Sequence, residues 1–439
     1  MPTVSEPGIL FAAALILIMF SLLGAGVWIG LALMGVSIAA TAMFSTRMPG
    51  DAMATTIFGS LSSWTLTALP LFIWMGEVLF RSKISEYMFR SLAPWMAQLP
   101  GRLMQVNVVG CAIFAAISGS SAATCATIGK ITLPELMKRK YPENMVVGSL
   151  AGSGTLGLLI PPSIIMIVYG ATADVSINKL FIAGVLPGTM LALLFMGYVG
   201  AWSLLNAERV PPSDISMGFV EKLRNSAGLI PTVLLIGGVL GSIYAGFATA
   251  TESAVIGVIG ALVLSALQGG LSWSVFVDTV AGAMRTTTMI MLILAGSSFL
   301  TIAMGFTGVP RDLAQWVGTL GLSQGALLVV LTLLYVILGC LLDGISMVVL
   351  TMAVLLPVVK VAGFDLLWFG IYIVLVVEMA QVTPPVGFNL FVLQSLTGRD
   401  IGYVSRAAFP FFILMVVAVC LIYVFPGIVT WLPGKMANA

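Results

Sequence analysis

The chain has 439 residues, 59% of them hydrophobic and only 8% charged, with 19 Lys and Arg against 17 Asp and Glu. A soluble domain carries about a quarter charged residues, so water is not the main solvent here. There is no histidine, which removes the commonest general base and the usual catalytic zinc ligands, and no basic stripe with interleaved aromatics supports nucleic-acid binding.

The apolar runs and their breaks predict an all-α polytopic membrane protein. Spans are expected over 8–24 and 27–44, where residues 1–7 offer neither a basic n-region nor a cleavage site of a removed signal peptide. An amphipathic segment over 49–62 precedes a span over 64–80. A second amphipathic stretch, 85–97, carries Arg90 among Tyr87, Phe89 and Trp95, as a helix lying at the interface does. Two apolar arms, 104–118 and 122–137, are too short to span and read as a re-entrant hairpin. Its tip is Ser118-Gly119-Ser120-Ser121. A broken span over 143–170 and an unbroken one over 179–205 close the first half.

A polar linker, 206–225, leads to the second half, with spans near 227–247 and 253–268 and an amphipathic piece near 272–286. A span over 288–305, a second hairpin over 324–360, a broken span over 366–396 and a last span over 407–431 follow. The repeats are thus 1–205 and 226–439. With the N-terminus outside, thirteen Lys and Arg fall on the cytoplasmic side and five on the outer side, leaving out Lys130 in a hairpin arm. That asymmetry is the one a correct orientation gives, and it makes the two repeats inverted.

The breaks carry the functional signal. Pro161-Pro162 and Pro384-Pro385 lie 223 residues apart, and Pro134 and Pro357, or Pro187 and Pro410, keep that offset. Ser120-Ser121 and Asp343-Gly344 keep it too. Proline cannot donate the helical hydrogen bond, so carbonyls of the preceding turn are released. Such groups are too costly in hydrocarbon unless they bind something or line a wet cavity. Paired interrupted helices at membrane depth are the sequence mark of a transporter's binding site.

Hydroxyls of the first tip beside released carbonyls make an uncharged hard-oxygen site, better suited to Na⁺ than to Zn²⁺ or Mg²⁺. The small residues could equally serve helix packing. At the second tip Asp343 is a candidate N-cap, an ion contact, or both. Glu252 after Thr249 reads as a capping residue, Glu77 as a snorkelling side chain, and Glu378 as an intramembrane carboxylate in need of a partner. Cys111, Cys125, Cys340 and Cys420 lack metal-ligand spacing and read as packing residues. No Walker sequence, dinucleotide turn or nucleophile elbow is present. Neither an enzyme nor an ATP-driven pump is expected from this chain, which leaves an ion gradient as the energy source.

With these residues in view, the sequence resembles the large membrane subunit (M subunit, DctM-like) of TRAP transporters, the tripartite ATP-independent periplasmic uptake systems. The resemblance rests on 117–124, on 157–163 with Tyr169-Gly170, on 249–254, on Leu342-Asp343, on Phe364-Asp365 with Phe369-Gly370, and on 383–391. It implies an elevator-type, Na⁺-driven importer of a small organic acid in the bacterial inner membrane, with a periplasmic N-terminus. It further implies a small four-helix membrane subunit and a periplasmic binding protein as partners. Carried onto this chain, one cation site would use Ser118, Ser120, Gly157, Ile160 and Pro162, and the other Asp343, Gly344 and Thr383. Substrate would lie near Ser121, Thr155, Gly387 and Asn389. The alternative is a stand-alone carboxylate or ion symporter of related architecture. Two positions depart from the family's habit: Ala380 stands where Gly is frequent, with a narrowed second pocket expected, and Leu366 stands where Pro follows the Asp, an expected loop change only.

Overall fold

The computed structural model describes residues 6–82, 84–212, 215, 217–340, 342–385 and 387–436, and every regular element among them is helical. Lys83 of the charge count, Val386 of the second break and the N-terminal residues 1–5 lie outside that description. Among the described residues five helices are long and apolar enough to cross a membrane, or up to eight if each bent pair is one span. This is a multi-pass membrane protein.

Helices Glu6–Gly24 and Ile29–Phe44 open the first half. Pro49–Leu61 and the segment Trp64–Arg81 meet at a 59° bend, and the arm Ile84–Met96 follows. The first hairpin consists of Gln105–Ser118 and Ser121–Lys138. Glu143–Leu159 then breaks, and Ile164–Ala173 leaves at 42°, ahead of the long helix Ile177–Leu205. The expected linker contains a short helix, Phe219–Ser226, docked on the arm: Trp95 Nε1 donates to Ser226 Oγ (2.9 Å) and Ser91 Oγ to the Asn225 carbonyl (2.9 Å).

In the second half Ile230–Tyr244 and Ala250–Leu267 precede a single 35-residue helix, Trp273–Thr307. This one helix replaces the two elements, 272–286 and 288–305, expected from the sequence. Pro70, which lacks a donor just after the first-half bend, has Ile293 as its counterpart 223 residues on. With no proline in 273–307, nothing interrupts the helical bonds there. Val309–Thr319 is a further helix, beyond those expected from the sequence. The second hairpin comprises Gln324–Leu338 and Gly344–Val361, and the second broken helix Leu366–Gln381 and Phe388–Thr397. The last span runs over Ile401–Val424, six residues earlier than expected, because Asp400 caps it by accepting from Tyr403 N–H at 3.0 Å.

The second hairpin arms start at Ser121 and Gly344, and the broken helices at Glu143 and Leu366, so both pairs keep the 223-residue offset. The halves interlock. Ile164–Ala173 packs on Gly344–Val361, and Phe388–Thr397 packs on Ser121–Lys138. Helix Ile401–Val424 lies against Glu143–Gly154. There Gly148 and Gly152, one turn apart, admit it so closely that added Cβ atoms would stand 2.2 Å from the Ala407 carbonyl oxygen and 2.5 Å from Phe411. Residues 145–159 and 368–381 are buried at every position, so the arms before the two breaks form the centre of the molecule.

Candidate functional site

The first hairpin turns at Gly119, whose φ of 57° suits glycine. Ser120 then caps the second arm, accepting from Ala123 N–H at 3.5 Å. Ser118 Oγ shares a 2.7 Å hydrogen bond with Thr124 Oγ1 and donates to the Ser120 carbonyl at 3.2 Å. This tip is pressed against the first break. A Cβ on Gly157 would lie 2.6 Å from the Ser120 carbonyl oxygen, and one on Gly119 would lie 3.0 Å from that of Pro162. Ser118, Ser120, Gly157 and Pro162 therefore converge, while the Ile160 side chain turns away to pack beneath Gly188. Pro161 and Pro162 have no N–H to donate to the carbonyls of Gly157 and Leu158, in the turn against which the tip presses.

At the second tip Asp343 accepts from the N–H groups of Ile345 (3.1 Å) and Ser346 (3.3 Å) and bonds to Ser346 Oγ. It caps the arm and also faces the cavity described next. Gly344 abuts Val377 and Gln381, and Cys340 Sγ reaches the Pro384 carbonyl at 3.6 Å. The Thr383 hydroxyl donates to the Met379 carbonyl of its own helix at 2.7 Å. Among the described residues no group of three or more His, Cys, Asp or Glu that could hold a metal ion occurs, so a cation bound here would rely on carbonyl and hydroxyl oxygens beside the Asp343 carboxylate.

Both tips open on one cavity of about 570 Å³. Ser118, Ser120 and Ser121 line it from the first hairpin, and Asp343 and Gly344 from the second. Gly157, Ile160, Pro162 and Thr383 do not line it, and neither do Thr155, Gly387 and Asn389. Thr155 is fully buried with its hydroxyl on the Gly152 carbonyl (2.6 Å). Asn389 is fully buried, and neither its oxygen nor its nitrogen finds a partner among the described residues. The chain as a whole matches the family model described as "Tripartite ATP-independent periplasmic transporter, DctM component" over residues 16–428.

The chain belongs to the DctM family.

Relatives bear this out. It is 30% identical to the C4-dicarboxylate TRAP transporter large permease protein DctM of Pseudomonas aeruginosa, across 91% of this chain and 93% of that one. It is 30% identical to the isethionate TRAP transporter permease protein DctMQ of Oleidesulfovibrio alaskensis, across 95% of this chain and 65% of that one. The sialic acid TRAP transporter large permease protein SiaM of Vibrio cholerae is 27% identical, over 94% and 96%. The crystal structure of the Alcanivorax borkumensis YdaH transporter shares the fold with a TM-score of 0.64 and 13% identity, covering 98% of this chain and 99% of that one. These relatives are permeases rather than enzymes, and so is this chain.

In this DctM chain the two departures from family habit sit away from the cavity. Ala380 is buried against Gly339, whose added Cβ would meet its methyl at 2.3 Å. It shapes the join between the second hairpin and the broken helix and is not on the cavity wall. Asp365 caps the helix begun by Leu366, accepting from Trp368 N–H at 2.9 Å. Further cavity residues are Glu77, Phe80, Thr286 and Met289, from elements not associated with the site in the sequence, and Gln381 and Phe388, from the second broken helix that was. Glu77 does not merely snorkel; it pairs with Arg81 at 3.3 Å and borders the cavity. Gln381 stands three residues after Glu378, so helical spacing could have drawn attention to it.

Proposed function

We propose that this DctM chain translocates a small organic acid across the inner membrane together with Na⁺, by an elevator movement of the two hairpins and two broken helices. The observation that carries this reading is the convergence of both hairpin tips on a single cavity. The second arm of each hairpin begins there, and helix N-termini favour an anion. The charged side chains lining the cavity are Glu77 and Asp343, both carboxylates. An organic anion entering beside them needs a counter-charge, because unpaired charge away from water is costly. Na⁺ held by the oxygens of Ser118, Ser120, Gly157, Ile160 and Pro162, and by Asp343, Gly344 and Thr383, supplies that charge. Ser121 and the nearby Thr155, Gly387 and Asn389 shape the solute side.

The partners belong to the same proposal: a four-helix membrane subunit and a periplasmic binding protein that delivers the solute. The isethionate relative, a third of whose length lies outside the match, fits a membrane partner fused to the large subunit. The test is uptake into proteoliposomes holding the chain and its membrane partner, with the binding protein loaded outside. C4-dicarboxylates, isethionate and sialic acid form the first panel. We expect accumulation only with inward Na⁺ and only with the binding protein. Accumulation indifferent to Na⁺ sinks the coupling. Accumulation without a binding protein makes the chain a stand-alone symporter.

A further inference from the structure

Glu378 lies wholly buried in the second half, yet both side-chain hydrogen bonds it makes go to the first. Ser121 Oγ donates to Glu378 Oε1 over 2.5 Å, and Leu158 N–H donates to the same oxygen over 3.0 Å. The other oxygen, Oε2, finds no hydrogen-bond partner among the described residues. Ser121 belongs to the first hairpin tip and Leu158 to the turn before the first break, and both line the cavity. One carboxyl oxygen of the second half thus gathers two separate pieces of the first-half cavity wall.

The arrangement occurs once. Counting back 223 residues from Glu378 gives Thr155, and counting forward from Ser121 gives Gly344. Thr155 bonds within its own helix, and Gly344 has no side chain to offer. A hydroxyl has a single proton. While the Ser121 proton is held by Glu378, that hydroxyl cannot donate to an anion in the cavity. Burying a carboxyl group at this depth is costly, and packing alone would be served by an apolar side chain of similar size.

We propose that Glu378 is a positioning residue for the cavity: by accepting from Ser121 and Leu158 together, it fastens the first hairpin tip and the first break to the second half's broken helix. The first hairpin, the first broken helix and the second broken helix then move as one body, and Ser121 acts through its position. This inference rests on the reading of the cavity as the transport site only for its functional meaning. Its geometry is testable without any solute.

The substitutions follow from the acceptor count. A glutamine at 378 offers the same Oε1 to both donors without a charge, and alanine offers none. With Ala122→Cys on the cavity wall as reporter, the labelling rate by a membrane-impermeant maleimide is measured on the full purified chain. Peptide mass spectrometry separates it from the native cysteines. We expect Glu378→Ala to raise labelling at 122 at least about fivefold, since losing a buried acceptor leaves its donors unserved. Glu378→Gln should match the parent, and native Cys340 at the other tip should keep its rate in both. Ser121→Ala should raise labelling in the same direction, and the Glu378→Ala/Ser121→Ala double variant should fall short of the product of the two single effects. Glutamine behaving like alanine overturns the proposal, because charge rather than acceptor geometry is then used. Independent, multiplying effects overturn it as well. If Glu378→Ala fails to accumulate, Ser121→Ala and Glu378→Gln decide the matter. A failed uptake assay with the labelling pattern intact would remove the transport role of the cavity and leave the clasp standing.

Discussion

At the scale of single residues, the tip–break contact has almost no tolerance. Gly157 faces the Ser120 carbonyl, and the 2.6 Å left for a Cβ is shorter than any real contact between such atoms. Both sides of that contact are backbone, so neither can rotate away. Gly157→Ala should therefore cost about 1–3 kcal/mol, the range for overpacking, and should separate Ser120 from the released carbonyls of the break. Gly197→Ala is the matched control, since a Cβ there meets nothing within 4 Å. It should be neutral or stabilising by up to about 1 kcal/mol through helix propensity. Detergent melting and Na⁺-dependent uptake check the pair: loss of both at 157 with neither lost at 197 is expected, and a fully active Gly157→Ala protein contradicts the packing argument.

At the scale of elements, Asp343 joins local structure to chemistry because it both caps the second hairpin arm and borders the cavity. The two roles separate by substitution. Asparagine caps about as well as aspartate, whereas alanine costs about 0.5–2 kcal/mol. Asp343→Asn should melt with the parent yet need at least about tenfold more Na⁺ for half-maximal uptake, equivalent to about 1.4 kcal/mol of lost binding. Asp343→Ala should lose stability as well. An asparagine variant with parental Na⁺ dependence would leave the residue as a cap alone. Most elements were legible in the sequence because polar tips and proline pairs punctuate apolar runs. The helix Val309–Thr319 was overlooked although the internal offset announces it: adding 223 to the arm Ile84–Met96 gives 307–319. The join of 273–307 was missed because Arg285-Thr286-Thr287-Thr288 looks like a boundary, yet holds no residue that stops a helix. The hairpin tips of the site were legible as polar breaks in apolar runs. Glu77, Thr286 and Met289 were not, because long helices bring them to the cavity by tertiary packing, which leaves no local pattern.

At the scale of the whole molecule, neither half is complete alone. The second half-helix of each break packs on the hairpin arm of the other half. Tyr169 donates to the Leu366 carbonyl at 2.7 Å, and Ala250 N–H donates to Asn178 Oδ1 at 2.8 Å, both across the halves. The bidentate Arg399–Glu143 pair also crosses, at 2.7 and 2.8 Å. Arg399 is half-exposed and the pair is screened by solvent, so packing carries the junction. That packing is of the membrane kind, in which small residues let helices approach, and Gly148 and Gly152 admit Ile401–Val424 on this basis. The only covalent link is the polar linker, so its continuity should matter less than the interlock. A chain divided between Pro212 and Met217, with both pieces co-expressed, should assemble and copurify through a tag on either piece. Each piece expressed alone should fail to accumulate, because its buried faces and the Glu378 acceptor or donors would lack their partners. Gly152→Leu in the first piece should abolish copurification by wedging Phe411 away. A first half that is stable and monodisperse by itself would show that the halves fold as separate units, and the fastening of the first tip by Glu378 would then have to form after folding.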